Sequence, residues 1–193
     1  MSVDGRTARR DRNRLAVLDA VIELFSEGDL SPSPEAVARR SGVSLRSVYR
    51  YVHDREDLAR AAIERHAERI APLREIPGLG EGALHERIDR FATARLALYE
   101  RVAPVHRASR LRAVSSAALR EQLSTARRHL RGQLEVHFAP ELRGLPVKER
   151  RAVLGAVDTL TQIESIEHLR EHCRLSPRAT RDTLVAALTR LLS

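Results

Sequence analysis

Cysteine is almost absent. Cys173 is the sole thiol, so no internal disulfide can form, and a reducing compartment is expected. Aromatic residues make up only 3% of the chain, which argues against a pocket walled by stacked rings for flat dyes. Glycine and proline are sparse, at 9 and 8 residues. With Leu, Ala, Arg and Glu dominant, a mostly helical protein is expected. Lysine occurs once, at Lys148, so the basic charge is carried by arginine. No apolar run approaches the roughly 18 residues needed to span a bilayer. The arginines near the start have no apolar segment behind them, so no signal peptide is expected. Nucleophile-elbow, phosphate-loop and metalloprotease motifs are also missing. These absences point to a cytoplasmic, non-membrane chain that binds rather than catalyses, without cofactor or metal.

What remains is substantial. The chain has 193 residues and is 42% hydrophobic, enough for one core, or for a small head and a larger body. Its formal net charge is +8, which favours polyanionic partners. Placement matters more than the sum. Residues 1–60 hold 11 arginines and 10 acids, so this region is nearly neutral.

Residues 1–14 carry Arg6, Arg9, Arg10, Arg12 and Arg14 and read as a flexible basic arm. Leu15, Val17, Leu18, Val21, Ile22, Leu24 and Phe25 follow at helical spacing, and Gly28-Asp29 stops that helix. Ser33-Pro34-Glu35 forms a helix start: Ser33 caps, Pro34 suits the first turn, and Glu35 favours the positive helix end. Only about two turns follow, with Val37 and Ala38 inward. Ser41-Gly42-Val43 is a tight turn, and Ser44 precedes a second short helix over Leu45–Tyr51. Val48 and Tyr51 share a face three residues apart. Asp54 and Asp57 open the next helix. Two short helices joined by a glycine turn make a helix-turn-helix. Such a unit seats the N-terminal end of its second helix in the major groove of double-stranded DNA.

The outward set is Ser44, Leu45, Arg46, Ser47, Tyr49 and Arg50. Arg46 suits bidentate pairing to guanine and Leu45 contact with a thymine methyl. Tyr49, Ser33 and Arg55 suit phosphate oxygens. The alternative is a solvated face on a small three-helix unit.

Leu24-Phe25, Ser41-Gly42-Val43-Ser44, Val48-Tyr49, Tyr51, Glu56 and Leu58 together resemble the N-terminal pattern of the TetR family of transcriptional regulators, over about residues 10–60. The resemblance implies a homodimeric repressor released from its operator by a small-molecule effector. It implies that Tyr49 contacts phosphate and that Arg55 replaces a customary lysine. Arg46 stands where the family commonly has glycine, Ser47 for threonine, Val48 for leucine and Val52 for phenylalanine. The operator preference therefore cannot be borrowed.

The fold expected is all-α with about nine helices. Residues 1–53 form the arm and DNA-binding head, and residues 54–193 the effector-binding and dimerisation body. A long helix over 54–75 links them, with Leu58, Ala61, Ala62, His66 and Ile70 inward. Pro72, Pro77, Gly78, Gly80 and Gly82 mark a loop. A helix over 84–102 ends at Pro104, a short one spans 105–114 and a long one 116–137. Further helices cover 147–172 and the segment from Ser176-Pro177 onward. The last two resemble a dimerisation pair, with Val153, Val157, Leu160, Leu184, Leu188 and Leu191 at the interface. The alternative is that both belong to the protomer core.

Between Arg101 and Arg131 lie eight arginines and one acid. Phe91, Arg95, His106, Arg110 and His129 are candidates to line a pocket for an acidic or polar effector. The alternative is a solvated cationic face. His168, His172, Cys173 and Glu164 lack a matching ligand cluster, so no metal site is expected. The rival functions are an architectural DNA-binding protein and an enzyme with an accessory DNA-binding head.

Overall fold

A computed structural model describes residues 5–51 and 54–193. The expectations that fall on residues 1–4, Val52 and His53, including the boundary at 53, lie outside the described residues. The described residues are all-α: α1 (Gly5–Ser26), α2 (Pro34–Ser41), α3 (Leu45–Tyr51), α4 (Arg55–Ile70), α5 (Leu84–Ala113), α6 (Ala117–His137), α7 (Ala139–Arg143), α8 (Val147–Thr161), α9 (Ile163–Glu167) and α10 (Pro177–Leu192). A 3₁₀ turn over Ala71–Arg74 follows α4, and a π-helical turn over His168–His172 follows α9. No helix among the described residues is long and apolar enough to cross a membrane.

The chain divides into two compact units. The first takes the residues up to Arg69 together with Pro104–Arg120; the second takes Ile70–Ala103 and Glu121–Ser193. Within the first unit, α4 packs Leu58, Ala59, Ala62 and Ile63 into the buried interior and is tied to α1 by charge. Arg65 donates to both Asp19 oxygens at 2.8 Å, and Arg69 to one at 2.9 Å. The Arg65 hydrogen bonds, with the charges of Arg65 and Arg69, hold the Asp19 carboxyl below its ordinary range despite partial burial.

The expected 54–75 helix ends at Ile70, and Ala139–Arg143 forms a short helix that was not expected; three further boundaries depart from the sequence reading. First, α1 begins at Gly5, so the described part of the arm is helical. Ala and Arg are strong helix formers, and a polar segment shows no apolar period to announce them. Second, α5 runs through Pro104. Proline removes one helical hydrogen bond and crowds the preceding turn, at about 3 kcal/mol. Val102, Ala103, Val105 and Ala108 on either side are all buried, and that packing holds the helix together. Third, the expected 147–172 helix breaks at Gln162, whose ψ is 153°. The Gln162 carbonyl accepts from Ser165 and Ile166 at 3.1 Å, restarting the chain as α9. Elsewhere the start signals hold. Ser33 accepts from the Ala36 N–H at 3.2 Å, Asp54 from Asp57 at 2.8 Å and Ser176 from Ala179 at 3.1 Å.

Gly42 ends α2 with φ 68° and ψ 11°. Nothing lies within 4 Å of where a Cβ would sit, so the requirement is conformational and not steric. Gly42→Ala is expected to cost about 1–2 kcal/mol, and Gly42→Asn less, because Asn tolerates the left-handed region. Urea midpoints of the three proteins check this; equal midpoints for Ala and Gly contradict it.

The second unit has two apolar clusters. One gathers Ala92, Leu96, Tyr99, Leu130, Ile163, Ile166 and Leu184; the other gathers Ile88, Phe91, Leu134, Phe138, Val157 and Leu188. A polar knot pins the 76–83 loop beside the second. His137 is fully buried. Its Nδ1 accepts from the Gly80 N–H at 2.9 Å, and its Nε2 lies 2.9 Å from the Arg87 carbonyl. These partners assign the neutral tautomer with hydrogen on Nε2. Arg87 donates to the His137 carbonyl at 2.5 Å and forms a bidentate pair with Glu141.

Burial, with the charges of Arg87, Arg90 and Arg95, pushes the His137 imidazole below its ordinary 6.5, against the opposing hydrogen bond to Arg87. Protonation also costs the Gly80 bond, since Nδ1 then has no lone pair. The unfolded chain takes up this proton first. Stability is therefore full above pH 6.5 and falls as pH drops from there through the depressed folded value. Melting temperatures between pH 7.5 and 5 are expected to decline, and His137→Asn is expected to flatten that decline. An identical slope in the variant contradicts the assignment.

Candidate nucleic-acid interface

The turn between α2 and α3 is held from within. Val37, Val43 and Val48 are buried and Tyr51 is half-buried. The Ser41 hydroxyl accepts from the Val43 N–H at 3.3 Å and donates to the Ala38 carbonyl at 3.4 Å. Arg40 clamps α2 to α1, donating to the Glu27 oxygens at 2.7 and 2.6 Å and to Glu23 at 3.4 Å. With Val48 facing in, Leu45, Arg46, Tyr49 and Arg50 occupy an arc of about 140° on the far side of α3 at 100° per residue.

All four of these are exposed. Leu45 is 37% and Tyr49 55% exposed, so an aliphatic and an aromatic side chain stand beside two arginines with no core to fill. Ser44 is exposed and donates to the Ser47 hydroxyl at 3.0 Å; Ser47 is half-buried at the edge of the arc. Arg50 leans on Tyr51, with its guanidinium 5.4 Å from the ring centroid and a 3.4 Å hydrogen bond to the hydroxyl.

The phosphate candidates meet around a residue that the sequence reading treated only as a helix-end charge. Hydrogen bonding from its own backbone N–H and Ser33, with the Arg55 charge and the Tyr49 hydroxyl, holds the Glu35 carboxyl below the ordinary carboxylate range. Ser33, Tyr49 and Arg55 thus all act on one anionic group of the protein itself. Hydroxyl and guanidinium donors so arranged suit a phosphate oxygen.

Arg112, near the end of α5, went unnoticed in the sequence. It is buried, donates to the Leu30 carbonyl at 2.9 Å and to the Ala108 carbonyl at 3.3 Å, and sits 5.6 Å from the Phe25 ring. Its Nε lies 3.2 Å from Glu56 without hydrogen-bond geometry, so that contact is one of charge alone. The α1–α2 loop and the start of α4 are steadied from one guanidinium. The partners lie tens of residues away, so no local pattern announces it.

The effector candidates divide between the two units. Phe91 is fully buried and Arg95 is 2% exposed, while His129 is exposed; these three belong to the second unit. His106 is half-buried and Arg110 exposed, both in the first unit. The interface candidates also separate. Val157, Leu184 and Leu188 are at most 1% exposed within the single chain, so they belong to the protomer core and have no surface to offer a partner. Val153, Leu160 and Leu191 are half-buried and retain one. Helical periodicity identifies an apolar face but not what covers it. The His168 and His172 rings stack at 5.2 Å. Among the described residues no group of three or more His, Cys, Asp or Glu is placed to hold a metal ion.

Three solved structures share this all-α fold along nearly their whole length. A candidate transcriptional regulator from Streptomyces coelicolor A3(2) is 24% identical, with a TM-score of 0.62 over 94% of this chain and 99% of that one. A transcriptional regulator from Rhodococcus sp. Rha1 is 19% identical, with a TM-score of 0.68 over 95% of each chain. A candidate TetR-family transcriptional regulator from Rhodococcus sp. is 18% identical, with a TM-score of 0.68 over 94% of this chain and 99% of that one. No protein-family model matches the sequence, and no curated protein matches it.

Proposed function

We propose that the chain is a homodimeric, DNA-binding transcriptional regulator of the TetR type, a repressor released from its operator by a small-molecule effector. The observation that carries the reading is the α3 arc, where Leu45, Arg46, Tyr49 and Arg50 are exposed together behind a glycine turn of helix-turn-helix form. The shared fold supports it. Arg46 reads a guanine edge, Leu45 meets a thymine methyl, and Ser33, Tyr49 and Arg55 hold phosphates.

One head of this size gives weak discrimination. Two heads read half-sites roughly 34 Å apart, or a multiple of that, so a two-fold dimer suits the task. Val153, Leu160 and Leu191 supply its apolar contacts. The effector acts by population shift: it binds better to a state whose heads are badly spaced, and lowers operator affinity by that difference. The chain is a binding protein and not an enzyme in this reading.

Light scattering of the free protein, and of its complex with a selected duplex, tests the assembly. The expected results are twice the 21.7 kDa chain mass and an even number of chains per duplex. A free monomer that binds shuffled and selected duplexes alike rejects the proposal.

A further inference from the structure

Two arginines of α5 are buried in the second unit, and the fold treats them differently. Arg87 has Glu141 as its counter-ion. Arg95 has none: among the described residues no carboxylate pairs with it, and Asp158, whose charge it feels, is bonded to Arg131 at 3.1 Å and Gln162 at 2.6 Å. Arg95 is 2% exposed. Its guanidinium donates to the Gln133 side-chain oxygen at 3.1 Å and to the Leu130 carbonyl at 2.8 Å, and lies 4.5 Å from the centroid of the Phe91 ring. These acceptors are neutral. Burial pushes the group down to about 10, which still leaves it charged at neutral pH. Buried charges are normally paired, because desolvation of a lone ion is costly. A structural role needs no such charge, since an apolar side chain of similar length fills the same space.

The surroundings indicate what pairs with it. Phe91 belongs to one apolar cluster of the unit and Leu130 to the other, so the guanidinium lies between two greasy walls. Gln133 stands between Arg95 and the surface. Its amide nitrogen reaches the Arg74 carbonyl at 2.6 Å and His129 at 3.2 Å, and exposed His129 faces exposed Glu75 at 3.5 Å. The Gln133 side chain thus links the guanidinium to groups nearer the surface.

We propose that Arg95 is the seat of a ligand carboxylate, borne by an organic monocarboxylate with an apolar tail, which takes the place of the Gln133 side-chain oxygen. A carboxylate accepts two parallel N–H bonds from guanidinium, neutralises the buried charge, and leaves its tail against Phe91 and its neighbours. This inference rests on the ligand-responsive part of the reading above.

Octanoate and benzoate, with octanol and benzyl alcohol as uncharged counterparts, are titrated into the full chain by calorimetry and thermal melting in low-chloride buffer. The carboxylates are expected to bind one per chain and raise the melting temperature by several degrees, and the alcohols to do neither. Arg95→Met is expected to melt at or above the wild-type temperature without ligand and to lose the carboxylate response. Binding of a selected duplex by Arg95→Met is measured without ligand and is expected to be unchanged. No response to either carboxylate, or a variant that melts below wild type, overturns the inference, whether or not the chain selects a DNA sequence. Failure to select any DNA sequence strikes the regulator reading instead and leaves the carboxylate result to stand by itself.

Discussion

Arg46→Ala is expected to remove about 1–3 kcal/mol of discrimination between the selected duplex and one mutated at a single guanine, a loss of roughly 5- to 150-fold in the affinity ratio. The size follows from geometry. Arg46 is exposed at the second position of α3, the end that enters the major groove first. A guanidinium there meets guanine O6 and N7 with two donors at once. Arg55→Ala is a different experiment. Arg55 begins α4 beside Glu35 and touches phosphate in this reading, so its loss weakens binding to selected and random duplexes by similar factors and flattens the salt dependence by about one ion. Anisotropy titrations of both variants on both duplexes at several salt concentrations separate the roles. Equal losses on the two duplexes for Arg46→Ala rule it out as a base reader.

Glu141→Ala has the largest expected effect on stability. Arg87 and Glu141 side chains are 4% and 15% exposed, so solvent screens the pair poorly. Removing the acid strands a buried guanidinium at a cost of about 3–5 kcal/mol. For a chain of this length that lowers the melting temperature by roughly 6–20 °C. Replacing both partners with apolar residues, Arg87→Met with Glu141→Leu, is expected to cost much less, because no lone charge is left. Burial opposes the bonds from Arg87 at the Glu141 carboxyl, yet the carboxyl remains below its ordinary range. Stability from this pair is thus present above that range and lost in acid as the carboxylate protonates. A double variant as unstable as Glu141→Ala contradicts the charge argument.

Local signals in the sequence located several helix ends. Ser33-Pro34, Gly42, Asp54 and Ser176-Pro177 act within three or four residues of themselves, so pattern alone finds the helices they start or end. The outward face of α3 was legible for the same reason: Val48 facing in dictates what faces out. What could not be read depends on partners far along the chain. Arg87 and Glu141 are 54 residues apart, and Arg112 and Leu30 are 82 apart. Pro104 is a breaker by local rules and is overruled by buried neighbours on both sides. Val157, Leu184 and Leu188 show why an apolar stripe does not name its cover. They have the spacing of an interface, but their own chain already buries them. Arg95 was legible as a candidate pocket residue. Its missing counter-ion was not, because that depends on where Asp158 and Gln133 lie.

The most direct measurement is selection from a random duplex library by the purified full chain, with Arg46→Ala in parallel. The expected result is an enriched, two-fold symmetric motif with guanines in each half, whose half-sites lie one helical turn or a multiple apart, and which loses definition at one position in the variant. Retention of duplexes without any enriched motif, equally in both proteins, contradicts the account that α3 reads DNA.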